Sequence, residues 1–161
     1  MAIVNIIGER AMFGAGCFWG VEEDFRQLPG VLATAVGYAG GHIKAPSYEQ
    51  VCTATTGHAE VLEVVYDPTR ITFESLLAHF FASHDPTQLN RQGPDIGSQY
   101  RSVIFALTQH QAEAAQTAIS AENASGRYKK PLATTIESDA TFYHAEDYHQ
   151  QYVAKRQAAR R

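Results

Sequence analysis

Five apolar residues set the tightest limit on what this chain can fold into. Phe73, Leu76, Leu77, Phe80 and Phe81 recur at i, i+3, i+4, i+7 and i+8, the spacing of a helix that turns one face to a core. Thr72, at the end of the turn "YDPTRIT", is a good N-cap for it. Strands are predicted at about Arg10–Ala15, Val31–Tyr38, Ala59–Tyr66, Arg101–Leu107 and Ala133–Ser138. A first helix from about Phe18 to Gln27 carries the stripe Phe18, Val21, Phe25 and Leu28 and is stopped by "LPG". Thr108 and Gln111 have capping-box spacing for a third helix that ends before Gly126. The tail from Ala145 to Arg156 reads as helical, with Tyr148 and Tyr152 on one face. The order β-α-β-β-α-β-α-β predicts an α+β fold. Its first six elements match a ferredoxin-like βαββαβ core, an α/β sandwich with a mainly antiparallel sheet and helices on one face, to which a helix and a strand are added. Two long stretches, "AGGHIKAPSYEQVCTATTGH" and "HDPTQLNRQGPDIGSQY", interrupt this economy, and loops of that length are usually functional.

At 161 residues the chain is expected to form one domain, 1–161, with its own core. A net charge of -4 and a pI near 5.9 argue against a nucleic-acid partner or a polybasic membrane contact. No apolar run approaches a membrane span, and "MAIVNIIGER" lacks the basic start and small-residue cleavage site of a signal peptide. Two cysteines do not make a disulfide scaffold. A reducing cytoplasm is therefore the expected location, and each thiol needs its own explanation. The histidines show no H-x-x-x-H spacing and the cysteines no C-x-x-C, so no bound metal is expected.

The turn "GAGCFWG" looks at first like a nucleotide loop. It fails that reading because Trp19 occupies the third glycine position and would block close approach to a pyrophosphate. What remains is Cys17 at the start of a helix, where free N–H groups and the helix dipole favour a thiolate. Glu22, Glu23 and Asp24 in the following turns oppose a second anion. Cys17 is thus either a nucleophile or a small buried hydrophobe, and the flanking glycines favour an exposed thiol at a strand-to-helix turn. Phe18 belongs to the apolar stripe. Trp19 lies off it, and an indole beside a thiol suggests an apolar pocket for a small substrate group.

In "AEVLEVVY" alternation puts Glu60, Leu62, Val64 and Tyr66 on one face. Glu60, at the strand's start, is either a solvated strand-end carboxylate or a desolvated acid whose pKa is raised until it can donate a proton. Tyr48 and Tyr100 stand in the two long loops, Tyr100 five residues after Asp95, and their phenols are hydrogen-bond donors on apolar bodies. From these residues alone a cysteine hydrolase, using Cys17 with a histidine such as His149, or a binding module without turnover, remains open.

The segments "GAGCFWGVEEDF", "VGYAGG", "SYEQVCTATTGHAEVLEVVYDP", "HDPTQLNRQGPDIGSQYRSVIF" and "AEDYHQQY" resemble, in order from about Ala11 to Tyr152, the peptide-methionine (S)-S-oxide reductase family, methionine sulfoxide reductase A. The combination of "GCFWG", "GHAE" and "DxGxQYRS" is highly specific. The resemblance implies that Cys17 attacks the sulfur of methionine S-sulfoxide, free or in oxidised proteins, and that Glu60 protonates its oxygen. It implies that Tyr48 and Tyr100 hydrogen-bond that oxygen, that Phe18 and Trp19 hold the substrate methyl group, and that Asp95 positions the substrate. His149 and Tyr152 match residues near the site. No bound cofactor is implied. Cys17 sulfenic acid would be reduced by an external thiol, either thioredoxin or glutathione with glutaredoxin, and the protein would act as a monomer in repairing oxidative damage. Two positions depart from the pattern: Ala54 stands where glycine is common, and Pro94 precedes Asp95 where asparagine is common. Many relatives carry resolving cysteines on a glycine-rich tail, and no cysteine follows Tyr152 here. A one-cysteine cycle is expected, with Cys52 a packing thiol.

Overall fold

The computed structural model describes residues 8–138 and 140–160; most of "MAIVNIIGER" and the last residue of the basic ending lie outside the described residues. In chain order the elements are β1 (Glu9–Ala15), α1 (Phe18–Arg26), β2 (Val31–Ala39), α2 (Tyr48–Cys52), β3 (Ala59–Tyr66), α3 (Phe73–Ala82), β4 (Arg91–Gln92), β5 (Asp95–Ile96), β6 (Ser102–Ala106), α4 (Gln109–Ala124), β7 (Thr135–Ser138), β8 (Tyr143–His144) and α5 (Tyr152–Ala159). Single 3-10 turns cover Ser98–Tyr100 and Asp147–His149. The fold is mixed α/β around a central mixed sheet in the order β7-β6-β1-β3-β2-β8, while β4 and β5 form a separate hairpin. Every pairing in the central sheet is antiparallel except β6 with β7, which follows the crossover through α4.

The apolar stripes pack as their spacing requires. Phe13 of β1 stacks on Phe25 of α1 at 5.5 Å and on Phe73 and Phe80 of α3 at 6.1 and 5.3 Å. Leu76 and Leu77 are buried with them, so truncating Leu76 to alanine costs about 2–5 kcal/mol through lost burial and the cavity left behind. Leu62, Val64 and Tyr66 join this cluster, which puts Glu60 on the same, helix-covered face. Met12, Val61, Val103 and Phe105 form the other face, covered by Leu107 and Phe142.

Three local readings need correction. The first long loop contains α2, whose start is a capping box: Gln50 N donates to Ser47 Oγ at 3.2 Å and Ser47 N to Gln50 Oε1 at 2.9 Å. Thr108 caps α4, but Gln111 does not close the box. Its side chain accepts from Leu107 N at 2.9 Å and donates to the Arg10 carbonyl at 2.7 Å, tying α4 to β1. The tail is not one helix from Ala145. Gln151 sits in the left-handed region (φ 49, ψ 44) and α5 starts only at Tyr152, so Tyr148 and Tyr152 share no helical face. The cause is docking. The Gln150 amide brackets Val36 with bonds of 2.9 Å to its N–H and its carbonyl, and Gln151 N donates to Glu22 at 2.6 Å. These contacts hold the chain against β2 until Tyr152 is free to turn.

Register puts the motifs together. Ala15, the last residue of β1, lies opposite Ser102, the first of β6, and Phe13 lies opposite Leu62, two residues into β3 from Glu60. Tyr38 of β2 is opposite Glu60. The end of β1 and the starts of β3 and β6 therefore meet at one edge of the sheet.

Candidate active site

At that edge the chain leaves β1 through Gly16, whose φ of +95 is a conformation L side chains rarely adopt. A Cβ there would press on the Gln92 side chain at 2.9 Å, so the turn packs directly on the β4–β5 hairpin. Cys17 follows as the N-cap of α1, partly exposed and making no capping bond. Burial pushes its thiol up to about 11, with the charges of Glu60 and Asp95 adding to it and the backbone N–H groups of Trp19 and Gly20 opposing. The helix start pulls the thiol down as expected, but burial and the two carboxylates outweigh it, so the expected thiolate is not favoured. At pH 7 a thiol of that pKa is ionised in roughly one molecule in ten thousand. The opposing charge also comes from elsewhere than the first turns of α1. Glu22 is buried, accepting from Thr34 Oγ1 at 2.8 Å and from Gln151 N, while Glu23 pairs with Arg26 at 2.7 Å.

Glu60 is buried and accepts the Phe18 N–H at 3.1 Å. Burial raises its carboxyl to about 7, the Phe18 N–H pulling it down and Asp95 pushing it further up. It is therefore a carboxyl half-protonated at neutral pH, one peptide unit from the thiol. Tyr48 opens α2 and Tyr100 closes the 3-10 turn before β6. Burial raises the Tyr100 phenol to about 12, with Glu60, Cys52, Asp95 and Cys17 each contributing. Burial and the neighbouring Cys52, Glu60 and Tyr100 raise Tyr48 as well. Both phenols remain proton donors at any ordinary pH.

Trp19 donates its indole N–H to His149 Nδ1 at 2.9 Å and stacks on Tyr152 with ring centroids 3.9 Å apart. Because Nδ1 accepts, the proton of neutral His149 is on Nε2, a buried atom with no partner. His149 is also 4.3 Å from the Tyr48 ring and 5.2 Å from Phe18. Burial holds its pKa below the ordinary value, against the pull of Glu146. Phe18 is buried against Tyr38 and His149, so it backs the aromatic wall, while Trp19 and Tyr152 form its outer surface. Asp95 sits in β5 behind a tight hairpin turn, in which Gly93 takes φ 57 and the ring of Pro94 locks its own φ. Pro94 thus stiffens the loop that carries Asp95. Ala54 adopts φ 60, the region where the resemblance has glycine.

The peptide methionine sulfoxide reductase family model matches residues 9–161. The chain belongs to that family. It is 57% identical over 148 residues to "Peptide methionine sulfoxide reductase MsrA" of Geobacter metallireducens, covering 92% of this chain and 91% of the relative. Among solved structures it is similar to reduced Mxr1 of Saccharomyces cerevisiae, with a TM-score of 0.87 and 36% identity over 94% of this chain and 87% of that one. It is also similar to Mxr1 in complex with Trx2, with a TM-score of 0.63 and 25% identity over 94% of this chain and 89% of that one. The chain is thus an oxidoreductase that reduces methionine sulfoxide.

The family's chemistry makes sense of residues the sequence reading passed over. Glu146 accepts the Tyr38 hydroxyl at 2.9 Å and the Tyr48 N–H at 3.0 Å, joining β2, α2 and the Asp147–His149 turn around the site. Burial opposes its ionisation, but those two donors hold its carboxyl below the usual range. Nothing in "AEDYHQQY" separates Glu146 from Asp147; only the docking of the segment does. Cys52 ends α2 one turn from Tyr48 and is exposed, so it is no packing thiol. Among the described residues no group of three or more His, Cys, Asp or Glu could hold a metal ion, and no helix is long and apolar enough to cross a membrane.

Proposed function

We propose that Cys17 and Glu60 act as nucleophile and acid in the reduction of methionine S-sulfoxide through a sulfenic acid. The observation that carries this is the placing of a partly exposed thiol at the N-cap of α1, with the next N–H bonded to a buried carboxyl of pKa about 7. A sulfoxide sulfur is a poor electrophile until its oxygen takes a proton. Glu60 supplies that proton, and the Tyr48 and Tyr100 hydroxyls donate hydrogen bonds to the developing charge. The protonated sulfoxide brings positive charge against a thiol that the resting carboxylates hold protonated, which favours loss of the thiol proton to the carboxylate that Glu60 has become as Sγ attacks, so the acid is restored. The sulfur–oxygen bond of the substrate breaks and oxygen ends on Sγ, giving methionine and Cys17 sulfenic acid. Two external thiols then return Cys17 to the thiol, releasing water and a disulfide. The wall of Trp19 and Tyr152, backed by Phe18 and His149, receives the methyl group and selects the S epimer, and Asp95 positions the substrate.

The reductant is an external dithiol of the thioredoxin kind or glutathione with glutaredoxin. The yeast relative's complex with Trx2 supports the first. The chain works as one catalytic domain, 1–161, and as a monomer in a reducing cytoplasm, which suits two free thiols. The strand order β6-β1-β3-β2, with α1 and α3 against one face, supports describing its core as ferredoxin-like. The experiment is turnover of methionine S-sulfoxide with dithiothreitol by Cys17→Ser. A hydroxyl is far less nucleophilic at neutral pH, so methionine formation should cease while circular dichroism stays unchanged. Turnover near the parent's would assign the chemistry to another group.

A further inference from the structure

We propose that the cleft beside the β4–β5 hairpin is a docking site for an acidic segment of the substrate polypeptide. The cleft, about 870 Å³, runs between the loop before the hairpin and the loop after α4. Arg91, Arg127, Lys129 and Lys130 line it, four of the thirteen lysines and arginines of a chain whose net charge is -4. Its lining carboxylate is the exposed Asp85, which accepts from the Thr87 N–H and hydroxyl at 3.0 and 2.6 Å and whose pKa is lowered mainly by those bonds and in small part by the Lys130 charge, so one carboxylate faces four cations. Glu122 touches Arg127 at 3.5 Å, which leaves the two lysines without a carboxylate partner among the ion pairs of the described residues. Leu89 on the cleft wall is 70% exposed and Ile96 on the hairpin 72%, which gives the surface apolar points as well as charge.

Continuity with the active site favours a substrate segment as the occupant. The Gln92 side chain touches Gly16, the residue before Cys17, and also brackets Asp85, donating to its carbonyl and accepting its N–H at 2.9 Å each. One residue thus separates the nucleophile's turn from the cleft. Asp95, opposite Gln92 in the hairpin, lies near enough to Cys17 for its charge to push the thiol up, while Arg91 next to Gln92 lines the cleft. A polypeptide with its methionine sulfoxide at Cys17 has to pass only Gln92 to lay its neighbouring residues over the cations, an extended chain advancing roughly 3.3–3.6 Å per residue. Segments rich in Asp and Glu complement this surface, and lysine-rich ones are repelled by it.

The inference rests on the reaction proposed above, and the test separates the two. Three substrates are compared: N-acetyl-methionine S-sulfoxide amide, and peptides with glutamates or serines four and five residues from the sulfoxide. The parent should favour the glutamate peptide over the serine peptide by about ten-fold in kcat/KM, and the advantage should shrink between roughly 20 mM and 300 mM salt. Lys129→Glu/Lys130→Glu should abolish the preference and leave turnover of the blocked amino acid unchanged. Anisotropy of the labelled glutamate peptide on Cys17→Ser protein reads the cleft without any turnover, and charge reversal there should weaken binding by a similar factor. Equal rates for the two peptides, or a preference that survives the double reversal, would overturn the proposal. So would a reversal that changes only the dependence on thioredoxin concentration, since the cleft would then belong to the reductant. A parent that binds the acidic peptide but never reduces the blocked sulfoxide would instead overturn the reaction and leave the cleft standing.

Discussion

Glu60→Gln separates acid catalysis from structural support, because it should move two rates in opposite directions. Glutamine is isosteric and its Oε1 can still accept the Phe18 N–H, so the start of α1 keeps its anchor. The proton donor is lost. Single-turnover formation of the sulfenic acid should slow by about ten-fold to ten-thousand-fold, the span for one general acid. The carboxylate charge is lost too, and after burial it is the largest reason the thiol stands near 11. Alkylation of Cys17 by iodoacetamide at pH 8 should therefore accelerate, by about ten-fold for each unit the thiol falls. In the parent, with Glu60 near 7, the protonated fraction drops from about 90% at pH 6 to about 10% at pH 8, so single-turnover rates should fall roughly ten-fold over that window; in the variant this descent should vanish. Stability follows the same group. Its pKa is raised from 4.5 to about 7, so the native state binds a proton that the unfolded chain has released, and stability drains away between those values as pH rises. Glu60→Gln should recover about 3 kcal/mol at pH 8 and nothing at pH 4. Slower alkylation together with slower turnover, or a descent that persists in the variant, would refute the assignment and leave Glu60 as packing.

Trp19→Ala should mainly raise KM and erode the choice between sulfoxide epimers; unchanged affinity and selectivity would remove the indole from the pocket. Acidification below the ordinary histidine range should raise KM without lowering kcat, because protonated His149 presents a proton to the Trp19 indole N–H while Glu60 stays protonated. Ala54→Gly should stabilise the fold by about 0.5–1 kcal/mol in a denaturant melt, since a left-handed alanine costs about 1–2 kcal/mol and glycine's freer unfolded chain takes back about 0.4–1. Excess methionine S-sulfoxide without reductant should add one oxygen to the intact mass, trappable by dimedone; a loss of two hydrogens, abolished by Cys52→Ser, would make Cys52 the resolving thiol.

The strands and main helices were legible because each carries its own period. The Phe73–Phe81 stripe and the alternation through Leu62, Val64 and Tyr66 needed no long-range information. Glu60 was legible as a residue on the helix-covered face, and Trp19 as one off the stripe of α1. The thiol's pKa was not legible. A helix start argues one way, and only the assembled neighbourhood of burial, Glu60 and Asp95 decides the other. The same limit hid Glu146 and the break at Gln151, whose conformations are fixed by partners on β2, α1 and α2 that lie far away in the chain. The capping box at Ser47–Gln50 was present in the sequence and marks α2.

The docking of the Tyr143–Tyr152 segment has a consequence for how this enzyme fails. The nucleophile and acid stand at the edge of a broad hydrogen-bonded sheet, whereas His149 and Tyr152 are held by a two-residue strand pairing, one further backbone bond from Ala145 to Val36, the Gln150, Glu146 and Glu22 side chains, and the contacts of both rings with α1 through Trp19. A segment held mainly by side-chain ties opens at a lower free energy than the sheet it leans on. Warming or mild denaturant should therefore release the methyl-binding wall while far-ultraviolet circular dichroism still reports an intact fold. Epimer discrimination would fade first, substrate affinity next, and iodoacetamide reactivity of Cys17 would register the change before any global transition.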